Sequence, residues 1–172
     1  LSFFPKIGII LNIEEDHLDF FKDIDDIRNS FHEFAKLLPS DGTLIINGDI
    51  PRVTEITDSL PCRVITFGSS SSCDYSPSDI TYDEFGHPSF ILTGPDGTKN
   101  SYALRVPGLY NVYNAAAAVA AARLLGIDGD IIQKSLSDFN GTDRRFEYKG
   151  KVNGITIIDD YAHHPTEITA TL

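Results

Sequence analysis

Residues Ile7 to Ile13 read IGIILNI, an apolar run with the length and composition of a strand covered on both faces, as the strands of a parallel sheet are. The residues after it decide the fold class. A polar cluster from Asn12 to Asp19 ends the run. Ile24, Ile27, Phe31, Phe34 and Leu38 then recur at steps of three and four, with Asp25, Arg28, Glu33 and Lys36 expected to face outward, which is the pattern of an amphipathic helix. Pro39-Ser40-Asp41-Gly42 stops that helix, and TLIIN from Thr43 to Asn47 is a second buried strand. A short polar segment from Asp49 to Ser59 leads to a third, Arg63 to Phe67. Strand–helix–strand alternation with short links predicts an α/β fold, a mostly parallel sheet flanked by helices.

Working outward, the texture changes at Gly68. Ser69 to Ser72 is a serine run too short for a linker and is expected to be a loop. Three short strand patterns follow between Asp79 and Val106. They are separated by Phe85-Gly86-His87-Pro88 and Gly94-Pro95-Asp96-Gly97, the latter a hairpin signal, so a small antiparallel sheet is expected as an insert. An Ala-rich helix is predicted from Asn111 to Leu125 with Gly126 as its C-terminal cap. A shorter helix is predicted from Asp130 to Phe139, with Ile131, Ile132 and Leu136 inward. From Arg144 the pattern becomes strand-like (RFEYKGKV), turns at Asn153-Gly154, runs on as ITIIDDY and enters a helix at Pro165.

The chain has 172 residues, with 14 Lys plus Arg and 25 Asp plus Glu, a formal charge of −11. Surface scaling for this length gives burial of about 70% of the unfolded surface, enough for one real core. The acidic balance argues against nucleic-acid or anionic-membrane binding, which needs a basic face, and no apolar run approaches the ~20 residues of a membrane span. Residues 1–60 hold 12 acids against 5 bases, whereas 139–172 hold 5 against 4, so the acidity sits in the first third. Cys62 and Cys73 lack metal or disulfide-scaffold spacing, which implies free thiols in a reducing cytoplasm. The chain starts at Leu1 and contains no Met, as expected of a piece of a longer protein.

Four stretches carry chemistry. Asn12 to Asp19 (NIEEDHLD) lies at the carboxyl end of a strand, where open α/β sheets place ligands. Its carboxylates and His17 suit a divalent cation, or else merely complement the dipole of the next helix. Asn111 and Asn114, three apart at a helix start, place two amides on one face, able to read a purine edge, although Asn111 equally suits a cap. Arg144-Arg145 offers planar forks for phosphate, or a solvated surface pair beside Asp143 and Glu147. Asp159-Asp160-Tyr161-Ala162-His163-His164-Pro165-Thr166-Glu167 sets a carboxylate for ribose hydroxyls and two histidines at a strand-to-helix turn. Neither GxxxxGK[ST] nor GxGxxG nor a nucleophile motif occurs.

NIEEDHLD (12–19), GLYNVYNAAAA (108–118), RRFE (144–147) and DDYAHHPTE (159–167), in that order, resemble the Mur ligases over essentially the whole chain. The resemblance implies residues 1–143 as the central ATP-binding domain without its phosphate loop, and 144–172 as the start of the C-terminal ligase domain. It is nearest to the branch that joins L-alanine to the lactyl carboxylate of UDP-N-acetylmuramate, using ATP and Mg²⁺ through an acyl phosphate, in peptidoglycan synthesis. By position, His17 resembles a Mg²⁺ ligand, and Asn111 and Asn114 the adenine-side asparagines. Arg145 resembles an arginine near the ribose and phosphates with a catalytic part, and Asp160 the ribose-binding aspartate. Tyr161 and the catalytic candidate His163 resemble residues on the phosphate and amino-acid side. Tyr110 departs from the family, which usually has His there, and the absent phosphate loop predicts that this stretch alone is inactive. A murein-tripeptide ligase acting on the same UDP-sugar shares the HHPT string but more often has Phe at the place of Tyr161. A non-catalytic nucleotide-binding module is the reading from another class.

Overall fold

The computed structural model of the chain describes residues 4–171. Its first layer is a parallel sheet of β1 (Ile7–Ile10), β2 (Thr43–Asn47) and β3 (Arg63–Phe67) in that order, with Ile9 opposite Ile45 and Ile45 opposite Ile65. Alternation along β2 divides the core in two. Leu44 and Ile46 belong to an apolar cluster with Ile10, Ile27, Ala35, Leu38 and Ile56, formed with α1 (Ile24–Ala35) and the short α2 (Thr54–Thr57). Ile45 joins Ile65 and Phe67 on the opposite face, against α3 (Leu109–Leu124). Both faces of the strand are thus covered, and burying each such aliphatic side chain contributes about 1.5–3 kcal/mol.

The insert is a separate antiparallel sheet of β4 (Ser76–Tyr82), β5 (Pro88–Thr93) and β6 (Lys99–Ala103), whose Phe90, Leu92 and Tyr102 share the α3 cluster. The Gly94–Gly97 turn joins β5 to β6 as the sequence implies, with Asp96 Oδ1 accepting from Thr98 N at 3.0 Å. The alanines of α3 allow the close approach: Ala116 and Ala120 are fully buried. The helix ends in a Schellman motif, Ile127 N donating to Ala122 O and Gly126 N to Arg123 O at 3.0 Å each, with Gly126 at φ 75°. The helix α4 (Gly129–Asp138) lies against β6, and a hairpin of β7 (Glu147–Val152) and β8 (Ile155–Asp159) leads to α5 (Pro165–Thr171).

Several expectations are corrected. The first strand stops at Ile10 rather than Ile13, and Leu11 O accepts from the Asn47 side chain instead of continuing the ladder; Ile9 and Leu11 are exposed, β1 being the sheet edge among the described residues. Arg28 is buried instead of outward: it turns back along α1 so that Nη1 donates to Asp25 Oδ1 at 3.0 Å. Within the polar segment from Asp49 to Ser59, to which no element was assigned, Thr54–Thr57 is helical. In α4 Ile132 is buried but Ile131 is 58% exposed. The strand expected from Arg144 begins at Glu147, since Arg144 and Phe146 take positive φ. The apolar run Ile155–Ile158 is largely exposed in its two-stranded hairpin. Among the described residues no helix is long and apolar enough to cross a membrane.

Candidate functional site

The carboxyl ends of β1 and β2 open into a loop built by short-range bonds. Asn47 at the end of β2 donates through Nδ2 to Leu11 O at 3.2 Å, which fixes where the chain leaves β1. Asn12 Nδ2 donates to Glu14 Oε1, and His17 N to Asp16 Oδ1 at 2.7 Å. His17 O then accepts from both Phe20 N and Phe21 N. His17 itself sits at φ 52°, a conformation uncommon outside glycine, and its ring is 75% exposed. Asp23 begins α1, its Oδ1 accepting from Asp25 N and Asp26 N.

Across from this loop, the start of α3 is set by Gly108, whose φ 95° and ψ 149° are open only to glycine. Asn111 is not the first residue of the helix, as expected, but its third, still within the first turn. Its Nδ2 donates back to Pro107 O at 2.8 Å, and its Oδ1 accepts from Asn114 Nδ2 at 3.3 Å. The two amides therefore do share a face and touch. Tyr110 lies over Gly108, near Asp160 and Arg145; burial first, and the Asp160 charge second, push its phenol up, while Arg145 pulls the other way.

The third wall comes from the last segment. Asp160 closes a tight turn, Oδ1 accepting from Ala162 N at 2.8 Å. Arg144 and Arg145 flank the Tyr161 ring, their guanidinium carbons 4.7 and 6.0 Å from its centroid. Arg145 Nη1 approaches Glu167 Oε1 at 3.7 Å. Glu167 accepts from His163 N and His164 N, and these bonds, with the His163 and Arg145 charges, hold its carboxyl below the usual carboxylate range.

These walls enclose one cleft of about 1160 Å³. His17, Asn111, Asn114, Arg145 and Asp160 all line it, although 143 positions separate the first from the last. Tyr161 and His163 stand beside the lining: their rings meet edge-on, centroids 5.2 Å apart and planes at 69°, and His163 Nδ1 donates to Tyr161 O at 3.0 Å. Among the described residues no three His, Cys, Asp or Glu side chains converge as a preformed metal cluster, so the expected acidic cation site is not assembled from protein ligands alone. Glu14, Asp16 and His17 nonetheless line the cleft, and such oxygen and imidazole donors suit a Mg²⁺ that keeps most of its waters. Tyr110, Thr142, His164 and Glu167 also line it; His164 was named from the sequence only with His163 at the strand-to-helix turn, and the resemblance gave none of the four a site role. The signal for the last two was HHPTE, where a residue before Pro at the first helical position and a Glu two residues after that Pro form a helix start.

A family model, the Mur ligase middle domain, matches residues 2–122. The chain belongs to the Mur ligase family. A second model, the Mur ligase glutamate ligase domain, matches residues 144–172. Among curated relatives, a UDP-N-acetylmuramate–L-alanine ligase of Lachnospira eligens is 57% identical over all of this chain and 38% of its own length. The chain thus spans little more than a third of the Mur ligases it matches. Among solved structures, MurF from Acinetobacter baumannii shares the fold with a TM-score of 0.86 at 28% identity, over 97% of this chain and 36% of that one. The UDP-N-acetylmuramate–alanine ligase MurC from Thermotoga maritima does so with a TM-score of 0.79 at 26% identity, over 98% and 37%. The α/β Mur ligase architecture inferred from four short strings is therefore the one observed.

Proposed function

We propose that this chain is the nucleotide-binding part, with the beginning of the C-terminal ligase domain from about residue 144, of a cytoplasmic enzyme that joins L-alanine to UDP-N-acetylmuramate at the expense of ATP. The observation that carries this reading is the convergence of His17, Asn111, Asn114, Arg145 and Asp160 on one cleft. Asn111 and Asn114 would meet the adenine edge, each amide able to donate and accept. The carboxylate of Asp160 would accept from ribose hydroxyls. The guanidinium of Arg145, held near Glu167, would lie against phosphate oxygens, where a fixed cation stabilises charge that develops during transfer. His17, with waters and neighbouring carboxylates, would hold Mg²⁺, which supplies charge neutralisation at the transferring phosphoryl when bound. His163 and Tyr161, outside the lining, would serve the amino-acid side. The chemical need is plain: a carboxylate is a poor electrophile, and phosphorylation gives it a leaving group that the alanine amine can displace.

The test is ligation by the full-length protein with Mg²⁺ and ATP, offering L-alanine and, separately, a murein tripeptide. Alanine-dependent release of phosphate and formation of UDP-N-acetylmuramoyl-alanine is expected, and Asn114→Ala should raise the dissociation constant for ATP about tenfold, a loss equal to one or two hydrogen bonds. Turnover with the tripeptide alone assigns the recycling branch instead. ATP binding without turnover of either acceptor assigns a binding module.

A further inference from the structure

The two adjacent histidines before α5 do different things. His163 is 68% exposed and turned toward Tyr161, whereas the side chain of His164 is 26% exposed and turned toward the loop after β1, 149 positions earlier. Two hydrogen bonds fix its tautomer. Glu15 O can only accept, so the contact at 2.9 Å requires a hydrogen on Nε2. Thr166 N can only donate, so its contact at 3.4 Å requires a bare lone pair on Nδ1. A neutral ring with Nε2–H satisfies both. Glu14 lies beside the ring, Oε2 at 3.7 Å from Nδ1, but with no hydrogen on Nδ1 it makes no bond there, and its other oxygen accepts from Asn12; the Nε2–Glu15 contact alone joins the two segments.

We propose that His164 is a positioning residue that ties the loop carrying Glu14, Asp16 and His17 to the first turn of α5. That loop crosses from β1 to α1 without a strand or helix of its own, so its side chains stay in place only through such bonds. Each removes backbone freedom that the loop would otherwise keep. The consequence for catalysis rests on the nucleotide reading above: the acidic loop and the Asp160–Glu167 segment are placed as one unit on the two sides of the cleft, so a shift of α5 moves both together.

The experiment compares the full-length protein with His164→Ala and His164→Gln, whose amide nitrogen reaches toward the place of Nε2. Amide hydrogen exchange over residues 11–21, measured without any ligand, is expected to quicken about fivefold to tenfold in His164→Ala, as loss of one hydrogen bond implies, and to return toward the original in His164→Gln. Residues 43–47 and 63–67 serve as the internal control for an intact fold. The ¹⁵N spectrum of the unaltered protein should show one histidine protonated at Nε2 alone that disappears in both variants. Unchanged exchange over 11–21 in His164→Ala, or equal acceleration in Ala and Gln, would overturn the proposal. A protein that binds no Mg²⁺–ATP refutes the nucleotide reading and leaves the exchange result to decide on His164.

Discussion

Gly108→Ala tests how the start of α3 is built. The backbone there has φ 95° and ψ 149°, a region essentially reserved for glycine, and holding another residue in it costs about 1–3 kcal/mol. A methyl group at this position would also lie 2.6 Å from Tyr110 Cε1 and 3.1 Å from Cδ1, inside the ring's contact distance. Overpacking of that kind costs roughly 1–3 kcal/mol, toward the low end here because Tyr110 is 38% exposed and can swing away. The lost freedom of the unfolded glycine returns about 0.4–1 kcal/mol. The balance is a destabilisation of about 2–3 kcal/mol, or a fall in urea midpoint of about 1 M for a slope near 2 kcal/mol/M. Far-ultraviolet circular dichroism is the suitable probe, since the chain has no tryptophan. Adding Tyr110→Ala should recover the steric part, about 1 kcal/mol, and leave the backbone part. A midpoint within 0.2 M of the original, or full recovery in the double variant, would refute this account of the turn. Because Pro107 O is the acceptor for Asn111 Nδ2, the same substitution should weaken ATP binding more than Tyr110→Ala does.

Three further outcomes are expected. Leu44→Ala, at a fully buried position in the central strand, should destabilise by about 2–5 kcal/mol in the same urea assay. Glu167, usually near 4.5 and lowered here by the bonds from His163 N and His164 N, stabilises the folded state fully above its ordinary value; that contribution is lost as pH falls through the lowered one, so the gap in urea midpoint between the protein and Glu167→Gln should close on acidification below about pH 4.5. Cys73, whose thiol is pushed up first by burial and then by the Asp49 charge, should react with iodoacetamide at pH 7.5 at least ~5-fold slower than a free cysteine, as followed by mass spectrometry.

The elements whose burial follows from periodicity were legible in the sequence. The alternation of Leu44, Ile45 and Ile46 serves two helical layers, and the steps of α1 were read correctly because its stripe meets one cluster. The misreadings have local causes. Arg28 lies on the inward side of its helix, and only the geometry of its bond to Asp25 shows how a guanidinium can sit there. Ile131 and Ile132 are neighbours about 100° apart around α4, and only Ile132 is buried while Ile131 is 58% exposed, so an apolar pair alone does not say which of the two faces inward. The early end of β1 reflects a tertiary bond, Asn47 to Leu11 O, that no window of local sequence contains.

The site was legible for a different reason. Each of its strings lies at a helix start or a strand end, the places where α/β sheets gather ligand-facing groups, and the structure brings Asn111, Asn114 and Asp160 to one cleft there. What composition could not show is which side of a turn faces the cleft. His163 and His164 are equivalent as letters, and the structure separates them by one step of chain direction: Pro165 fixes the start of α5, Glu167 reaches back to both histidine amides, and the ring of His164 is left facing Glu15 while that of His163 folds over Tyr161. Glu167→Gln should therefore disturb that difference less than Pro165→Ala does, read as the quickening of amide exchange over residues 11–21, since the proline, and not the carboxylate charge, sets the direction in which the chain enters the helix.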